Sequence, residues 1–278
     1  MRKIKIVADS SADILKLDGV EFDLAPMKII CDDREFIDDS VLDVYKMQEY
    51  FDKYNGKSRT SCPNTSDWLP AFGDADDVFC VTITSGLSGS YNSACAAKEA
   101  YESEHEGRRV FVIDSLSAGP EVTLIVRKLE QYIKENVPYE DICEKIIRYK
   151  EKTGLTFMLK SLKNFANNGR VSPAVAKIAG LVGICIVGKA SDVGTLEPKC
   201  KCRGEARSLE AILSILESDG LNCGKVSIAH NQNESGALTL KRMIEDKISG
   251  AQVDVHELRG LCCFYAEPGG LLIGYEKM

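Results

Sequence analysis

The chain has 278 residues, of which 44% are hydrophobic and 28% are charged, as is typical of globular proteins with a substantial core. Its formal net charge of −7 disfavours nucleic acid and anionic membranes as partners. No apolar stretch approaches the roughly 18–20 residues that span a bilayer, and the basic N-terminus has no signal-peptide core. We therefore expect a cytoplasmic protein without stable membrane insertion, in which the 11 cysteines are mostly buried thiols.

The N-terminal part of the chain alternates short apolar strands with helices, and this predicts a parallel sheet covered on both faces. Loops that follow such strands share one edge of the sheet, where ligands bind in open α/β folds. The acidic residues 32–43 are expected to form a hairpin or loop. The predicted strands are residues 3–8, 22–30, 78–83 and 110–113. The predicted helices are residues 44–54, 90–104, 119–135 and 139–152.

The pattern changes near residue 150, and we place a domain boundary there. The fold class is therefore α/β, with an N-terminal parallel-sheet domain over residues 1–150 and a second α/β domain over residues 151–278. The predicted C-terminal strands are residues 155–159, 184–187, 226–229, 253–256 and 271–275. The predicted C-terminal helices, besides a short one after residue 159, are residues 205–217 and 235–248.

Three possible sites are disfavoured by the residues themselves. Gly183–Lys189 matches the start of a phosphate-binding loop, but the four residues between its glycines are apolar and Ala190 stands where a magnesium ligand is needed. Cys200 and Cys202 lack the CxxC spacing of a zinc site, and no histidine stands at a matching offset. Residues 32–43 lack the spacing of a calcium loop. We therefore predict no metal and no cofactor.

Two hydroxyl-rich segments, residues 59–66 and 82–94, are the strongest candidates for a site. The second segment follows a predicted strand and opens a helix, so its hydroxyls and free backbone N–H groups could bind a carboxylate or phosphate. The alternative is plain helix capping by Ser88 or Ser90. Neither segment contains an obvious base, which favours anion binding over a nucleophile.

A nucleophilic alternative remains open. A serine hydrolase or acyltransferase could use Ser88 or Ser85, with His230 as the base. His256 is the other histidine that could serve, and a structural role for either histidine is the simpler interpretation. His105 lies in a charged stretch and is expected to be solvated.

Seven motifs, in order along the whole chain, resemble those of the DegV family. They are ADSSAD at 8–13, TSCP at 60–63, TSGLSGSYNSA at 84–94, IDS at 113–115, NNGRVS at 167–172, CRGEAR at 202–207 and PGGLLIGY at 268–275. The better-understood members of this family are the fatty-acid-binding subunits of bacterial fatty acid kinases.

The resemblance implies two α/β domains with an acyl pocket between or beside them, in which Thr60 and Ser88 hold the carboxylate of the bound chain. Further predicted ligand contacts are Ser61, Ser85, Gly89 and Tyr265. The family usually has a histidine where this chain has Tyr265, which can donate a hydrogen bond but is not cationic at neutral pH. Arg203 is similar in place to an arginine that is expected to face a partner kinase.

We therefore expect a non-catalytic protein that binds a long-chain fatty acid and presents its carboxylate to a fatty acid kinase. The rival from another class is the serine hydrolase or acyltransferase described above. A third alternative is a carrier of another amphiphile, such as a phospholipid or an isoprenoid.

Overall fold

A computed structural model describes residues 2–172 and 183–277 of the chain. Its first sheet consists of β1 (Ile4–Asp9), β2 (Glu21–Ala25), β6 (Asp77–Thr82) and β7 (Arg109–Asp114). The strand order is β2-β1-β6-β7, and every neighbouring pair is parallel. The predicted parallel sheet is therefore confirmed.

Helices cover both faces of this first sheet, because successive side chains of its strands point to opposite faces. The helices are α2 (Thr65–Phe72), α3 (Ser90–Glu104), α4 (Pro120–Lys134) and α5 (Tyr139–Glu151). Along β1, Ile6 and Ala8 pack against α4 and α5, whereas Val7 packs against α2 and α3. Both layers are apolar, so the sheet is buried on each side.

A small antiparallel sheet lies between β2 and α2 in the chain. It contains β3 (Lys28–Ile30), β4 (Glu35–Ile37) and β5 (Arg59–Ser61) in the order β4-β3-β5, and α1 (Val44–Lys53) precedes β5. The single strand predicted over residues 22–30 is wrong, because β2 and β3 belong to different sheets. Pro26 separates them, since proline cannot donate a hydrogen bond to a sheet ladder.

The second large sheet is mixed. Its described strands are β8 (Thr153–Leu159), β9 (Ile184–Ala190), β10 (Leu196–Arg203), β11 (Lys225–His230), β12 (Gln252–Glu257) and β13 (Leu271–Glu276). Their order is β10-β9-β8-β13-β11-β12. Among these strands only β11 and β12 form a parallel pair, and the other neighbours are antiparallel. The apolar segment Gly183–Lys189 lies largely within β9, as its composition predicts.

Two helices, α7 (Glu205–Ser218) and α8 (Glu234–Lys247), cover the outer face of the second sheet. Its inner face packs against the small sheet and against α9 (Gly260–Ala266), with α6 (Lys163–Asn167) nearby. No helix within residues 2–172 and 183–277 is both long and apolar enough to cross a membrane.

Helix α4 joins the two large sheets. Gly274 of β13 lies against the backbone of Pro120 and Glu121, where an added Cβ would come within 2.5 Å of the Glu121 nitrogen. Glycine is therefore required for this close approach. The first sheet ends at Asp114 and the second begins at Thr153, while the domain boundary at residue 150 stays a prediction.

Candidate functional site

A cavity of about 300 Å³ lies where the loops after the first sheet's strands meet the inner face of the second sheet. Most of its lining is apolar. The lining side chains come from the loops after strands of the first sheet, from the second sheet, from the small sheet and from α9. The apolar lining residues include Met27, Ile83, Leu87, Leu155, Phe157, Leu159, Phe165, Leu196, Leu261 and Leu272.

Hydroxyl groups are gathered at one part of the cavity wall. Thr60 of β5 and Tyr265 of α9 are 205 residues apart in sequence, yet their side-chain oxygens are 2.7 Å apart. The backbone N–H of Thr60 donates to Oδ1 of Asn168 at 3.0 Å, which fixes β5 against the loop after α6. Two hydroxyl donors are therefore held side by side on a well-anchored strand and helix.

Burial keeps the phenol of Tyr265 neutral at physiological pH. Burial raises the pKa of Tyr265, while its hydrogen bond with Thr60 and the charge of Arg170 act in the opposite direction. The phenol is therefore a hydrogen-bond donor and acceptor here, not an anion.

Ser88 reaches the cavity from the loop between β6 and α3, and buried Asp9 organises that loop. The Asp9 carboxylate accepts hydrogen bonds from the Ile83 N–H at 2.8 Å and from the Ser90 hydroxyl at 2.5 Å. Burial raises the pKa of Asp9, whereas these hydrogen bonds oppose the shift. Asp9 thereby ties the end of β1 to the N-terminus of α3 and sets the position of Ser88.

The start of α3 has no complete side-chain cap. Gly89 is its N-cap residue and makes no side-chain hydrogen bond, while Ser88 Oγ accepts from the Ser90 N–H at 3.3 Å. The positive end of the helix dipole therefore points to the same region as the Ser88 hydroxyl. Of the two possibilities considered for Ser88, capping and anion binding, the geometry permits both together.

Arg170 was not predicted as a ligand contact, although it lies in the NNGRVS motif. It follows Gly169, which has a positive φ of 71°, and its Nε donates to the Leu87 carbonyl at 3.3 Å. A second guanidinium nitrogen donates to the Asn168 carbonyl. Among the described lining residues Arg170 is the only charged one, and none is a carboxylate. The cavity therefore suits an apolar molecule with one anionic end.

Of the remaining predicted site residues, two line the cavity and two do not. Ser61 and Gly89 line the cavity and are otherwise exposed to solvent. Ser85 is exposed and does not line it, and its backbone N–H donates to Asp114 Oδ1 at 3.0 Å. Arg203 is exposed at the end of β10, also outside the lining.

No histidine is among the described residues that line the cavity. His230 is buried at the end of β11, and its Nδ1 makes no hydrogen bond within the described part of the chain. No hydrogen bond joins its ring to Ser88 or Ser85 there. Within the same residues, no cluster of three or more metal-binding side chains occurs.

Comparison with known sequences assigns the chain to a family. The sequence profile of the DegV family, whose members are described as uncharacterised proteins, matches residues 3–277. The chain belongs to the DegV family. A DegV domain-containing protein of Streptococcus pneumoniae is 41% identical over 276 residues, which are 98% of each chain. The resemblance inferred from the seven motifs is thus confirmed.

Two solved structures of DegV-family or related proteins share the fold closely. A DegV-family protein from Eubacterium eligens, loaded with heptadecanoic acid, is 43% identical, with a TM-score of 0.97 over 99% of this chain and 100% of that one. The fatty acid kinase B3 protein of Streptococcus pneumoniae, loaded with linoleic acid, is 40% identical, with the same TM-score and coverage. Both similar proteins therefore carry long-chain fatty acids.

Proposed function

We propose that this DegV-family protein binds a long-chain fatty acid in the cavity and presents its carboxylate to a fatty acid kinase. The main support for this proposal is the cavity lining, which is largely apolar and contains several hydroxyls. Among its described residues there is a single cation and no carboxylate. The fatty acids bound by the two similar structures support the same ligand class.

Burial of the acyl chain would supply most of the binding energy. About fourteen methylenes at ~0.8 kcal/mol each give roughly 11 kcal/mol before costs. Loss of translational freedom and ordering of the chain remove a large part of this. Micromolar or tighter binding is expected to remain, which is enough to survive purification.

The hydroxyl groups and Arg170 would replace the water lost by the carboxylate. Ser88 can donate one hydrogen bond, and either Thr60 or Tyr265 can donate another, because the hydrogen bond between those two hydroxyls uses one of their two protons. Hydrogen bonds to a charged acceptor are the stronger kind. Arg170 supplies a positive charge on the same cavity wall. A neutral ligand of equal length would gain the apolar burial but leave this cation without an anion.

This difference gives the test of ligand class. Calorimetric titration of delipidated protein with palmitate is expected to show at least tenfold tighter binding than titration with methyl palmitate. Equal affinities would contradict a carboxylate site and would favour a carrier of neutral or other amphiphiles. Each titration should be repeated with Arg170→Gln. This variant is expected to show a smaller difference in affinity between palmitate and methyl palmitate.

We propose a non-catalytic role, because the described residues that line the cavity include no histidine and no carboxylate that could act as a base. Hydrolysis by Ser88 would require a base within hydrogen-bond reach, and His230 lies outside the cavity lining. The purified protein is therefore expected to lack esterase activity. Turnover that disappears in Ser88→Ala while the fold is retained would support the hydrolase alternative.

The proposed hand-off to a kinase rests on access and on Arg203. Ser61 and Gly89 are exposed where they border the cavity, so a partner could approach the carboxylate from that side. Arg203→Ala is expected to lower phosphorylation of the bound fatty acid by a fatty acid kinase without weakening fatty-acid binding. Lys199→Ala, an exposed cation on the same strand, is the matched control. Equal rates in both variants would contradict a role for Arg203.

A further inference from the structure

Two cysteines lie side by side on β10. The Sγ atoms of Cys200 and Cys202 are 3.7 Å apart, Cys200 is exposed and Cys202 is half-buried. Because residues two apart in a strand point to the same face, the strand itself brings these thiols together. The pair is not used by the proposed lipid site, whose lining contains neither residue.

The position of β10 in its sheet allows the distance between these two cysteines to change. Among the described strands, β10 lies at the edge of its sheet and pairs only with β9, and its register shifts between Pro198 and Cys200. Such irregularities bend a strand locally. On the outer edge of β10, bending breaks no hydrogen bonds to a described neighbouring strand. The strand can therefore shorten between the two cysteines more easily than a central strand could.

The other described cysteines lack this combination of closeness and access. Cys262 and Cys263 are adjacent in sequence but buried. Cys185, the residue of β9 that lies opposite Cys202, is only 4% exposed. Cys223 is exposed but makes no hydrogen bond to another thiol in the described part of the chain. The pair on β10 is thus the one exposed dithiol within residues 2–172 and 183–277.

We propose that Cys200 and Cys202 form a reversible redox modification site, which a low-molecular-weight disulfide converts from a dithiol to an intramolecular disulfide. One thiolate attacks the small disulfide, forms a mixed disulfide and releases one small thiol. The second cysteine then attacks its neighbour's sulfur and releases the other small thiol. Two cysteine thiols are oxidised and one small disulfide is reduced to two thiols, so protons and electrons balance.

The environment of the pair sets the conditions for this exchange. Partial burial, followed by the hydrogen bond with Cys202, raises the pKa of the Cys200 thiol to about 11. Because the thiolate is the attacking species, exchange through Cys200 should be slow at neutral pH and faster at higher pH. The resulting constraint would fall between Leu196, which lines the cavity, and Arg203 at the end of the strand.

Mass spectrometry after oxidation tests the site directly. The folded, reduced protein would be incubated with oxidised glutathione, alkylated, and digested with a protease that cleaves before aspartate. The peptide of residues 192–218 contains only Cys200 and Cys202 as cysteines. We expect the oxidised peptide to be about 2 Da lighter than the unalkylated reduced peptide and to carry no glutathione. Dithiothreitol should restore the reduced mass, and the disulfide should form faster at pH 9 than at pH 7.

Single-cysteine variants distinguish disulfide formation between Cys200 and Cys202 from general oxidation of exposed thiols. Cys200→Ser and Cys202→Ser should each replace the 2 Da loss by a stable glutathione adduct. Cys223→Ser, the matched exposed control, should leave the peptide's oxidation unchanged. A wild-type peptide that gains only glutathione adducts, or remains reduced at pH 9 while Cys223 is modified, would overturn the proposal.

Discussion

Thr60 and Ser88 give the sharpest test at the scale of single residues. Both hydroxyls line the cavity, and each could donate a charge-assisted hydrogen bond of ~1.5–3 kcal/mol to a carboxylate. Thr60→Val and Ser88→Ala are therefore each expected to weaken fatty-acid binding by about ten- to hundredfold. Calorimetry on delipidated protein measures this, and thermal unfolding checks that the fold is retained.

Ser85→Ala is the matched control for these two variants. Ser85 belongs to the same loop as Ser88 but is exposed and does not line the cavity, so its loss should leave affinity within about twofold. If Thr60→Val and Ser88→Ala both bind fatty acid as tightly as the Ser85 control, the carboxylate is not where we place it.

Much of the site could be predicted from single residues, but their pairing could not. The motifs pointed to Thr60, Ser88 and Tyr265, and all three line one cavity. The contact of Thr60 with Tyr265 joins residues too distant in sequence for any local pattern to reveal. Arg170 was missed as a cavity residue because its placement depends on the turn at Gly169 and on the Leu87 carbonyl.

At the scale of elements, the start of α9 depends on a buried carboxylate. Asp38 is 1% exposed, and its Oδ2 accepts from the Leu261 N–H at 2.8 Å. Gly260 is needed there, since an added Cβ would lie 2.1 Å from the Asp38 carboxyl carbon. Asp38 therefore anchors the short helix that carries Tyr265.

This anchor predicts a pH-dependent stability. Burial raises the pKa of Asp38 to about 6, above the value of about 3.9 expected in the unfolded chain. Between these two pH values the Asp38 carboxyl is therefore protonated in the folded state and ionised in the unfolded state. The contribution of Asp38 to the free energy of unfolding is therefore complete below pH ~4 and is lost as the pH rises through 6. The total loss is about 3 kcal/mol.

Asp38→Asn removes the titration while keeping an oxygen that can accept from the Leu261 N–H. Urea unfolding is therefore expected to show a variant that gains stability relative to the wild type as the pH rises from 4 to 7. Asp52→Asn, which changes an exposed carboxylate on α1, should instead follow the wild-type profile. Parallel profiles for all three proteins would show that Asp38 does not titrate in this way.

The elements that were predicted correctly have strong periodicity or a long buried run, as in α3 over residues 90–104. Those that were missed lack both signals. α2 contains Pro70, which lowers helix propensity, while β10 is largely exposed and carries lysines at alternate positions. α9 is so short and apolar that its periodicity is not informative.

For the whole molecule, the alternation of strands and helices was sufficient to predict the first sheet but not the second. Crossover helices between strands favour parallel pairing, which β1, β2, β6 and β7 show. In the second sheet the chain order gives no comparable rule, and the central place of β13 depends on packing against α4. The cavity arises from the meeting of these sheets, so its shape could not be read from local patterns.

The central claim is that the cavity holds a long-chain fatty acid, and mass spectrometry of an organic extract of the purified protein tests it most directly. The account predicts a fatty acid in roughly one-to-one ratio with the protein, because burial of the chain outweighs its costs. Thr60→Val purified in parallel should carry less. An extract without fatty acid, from a protein that also fails to bind added palmitate or oleate, would contradict the account.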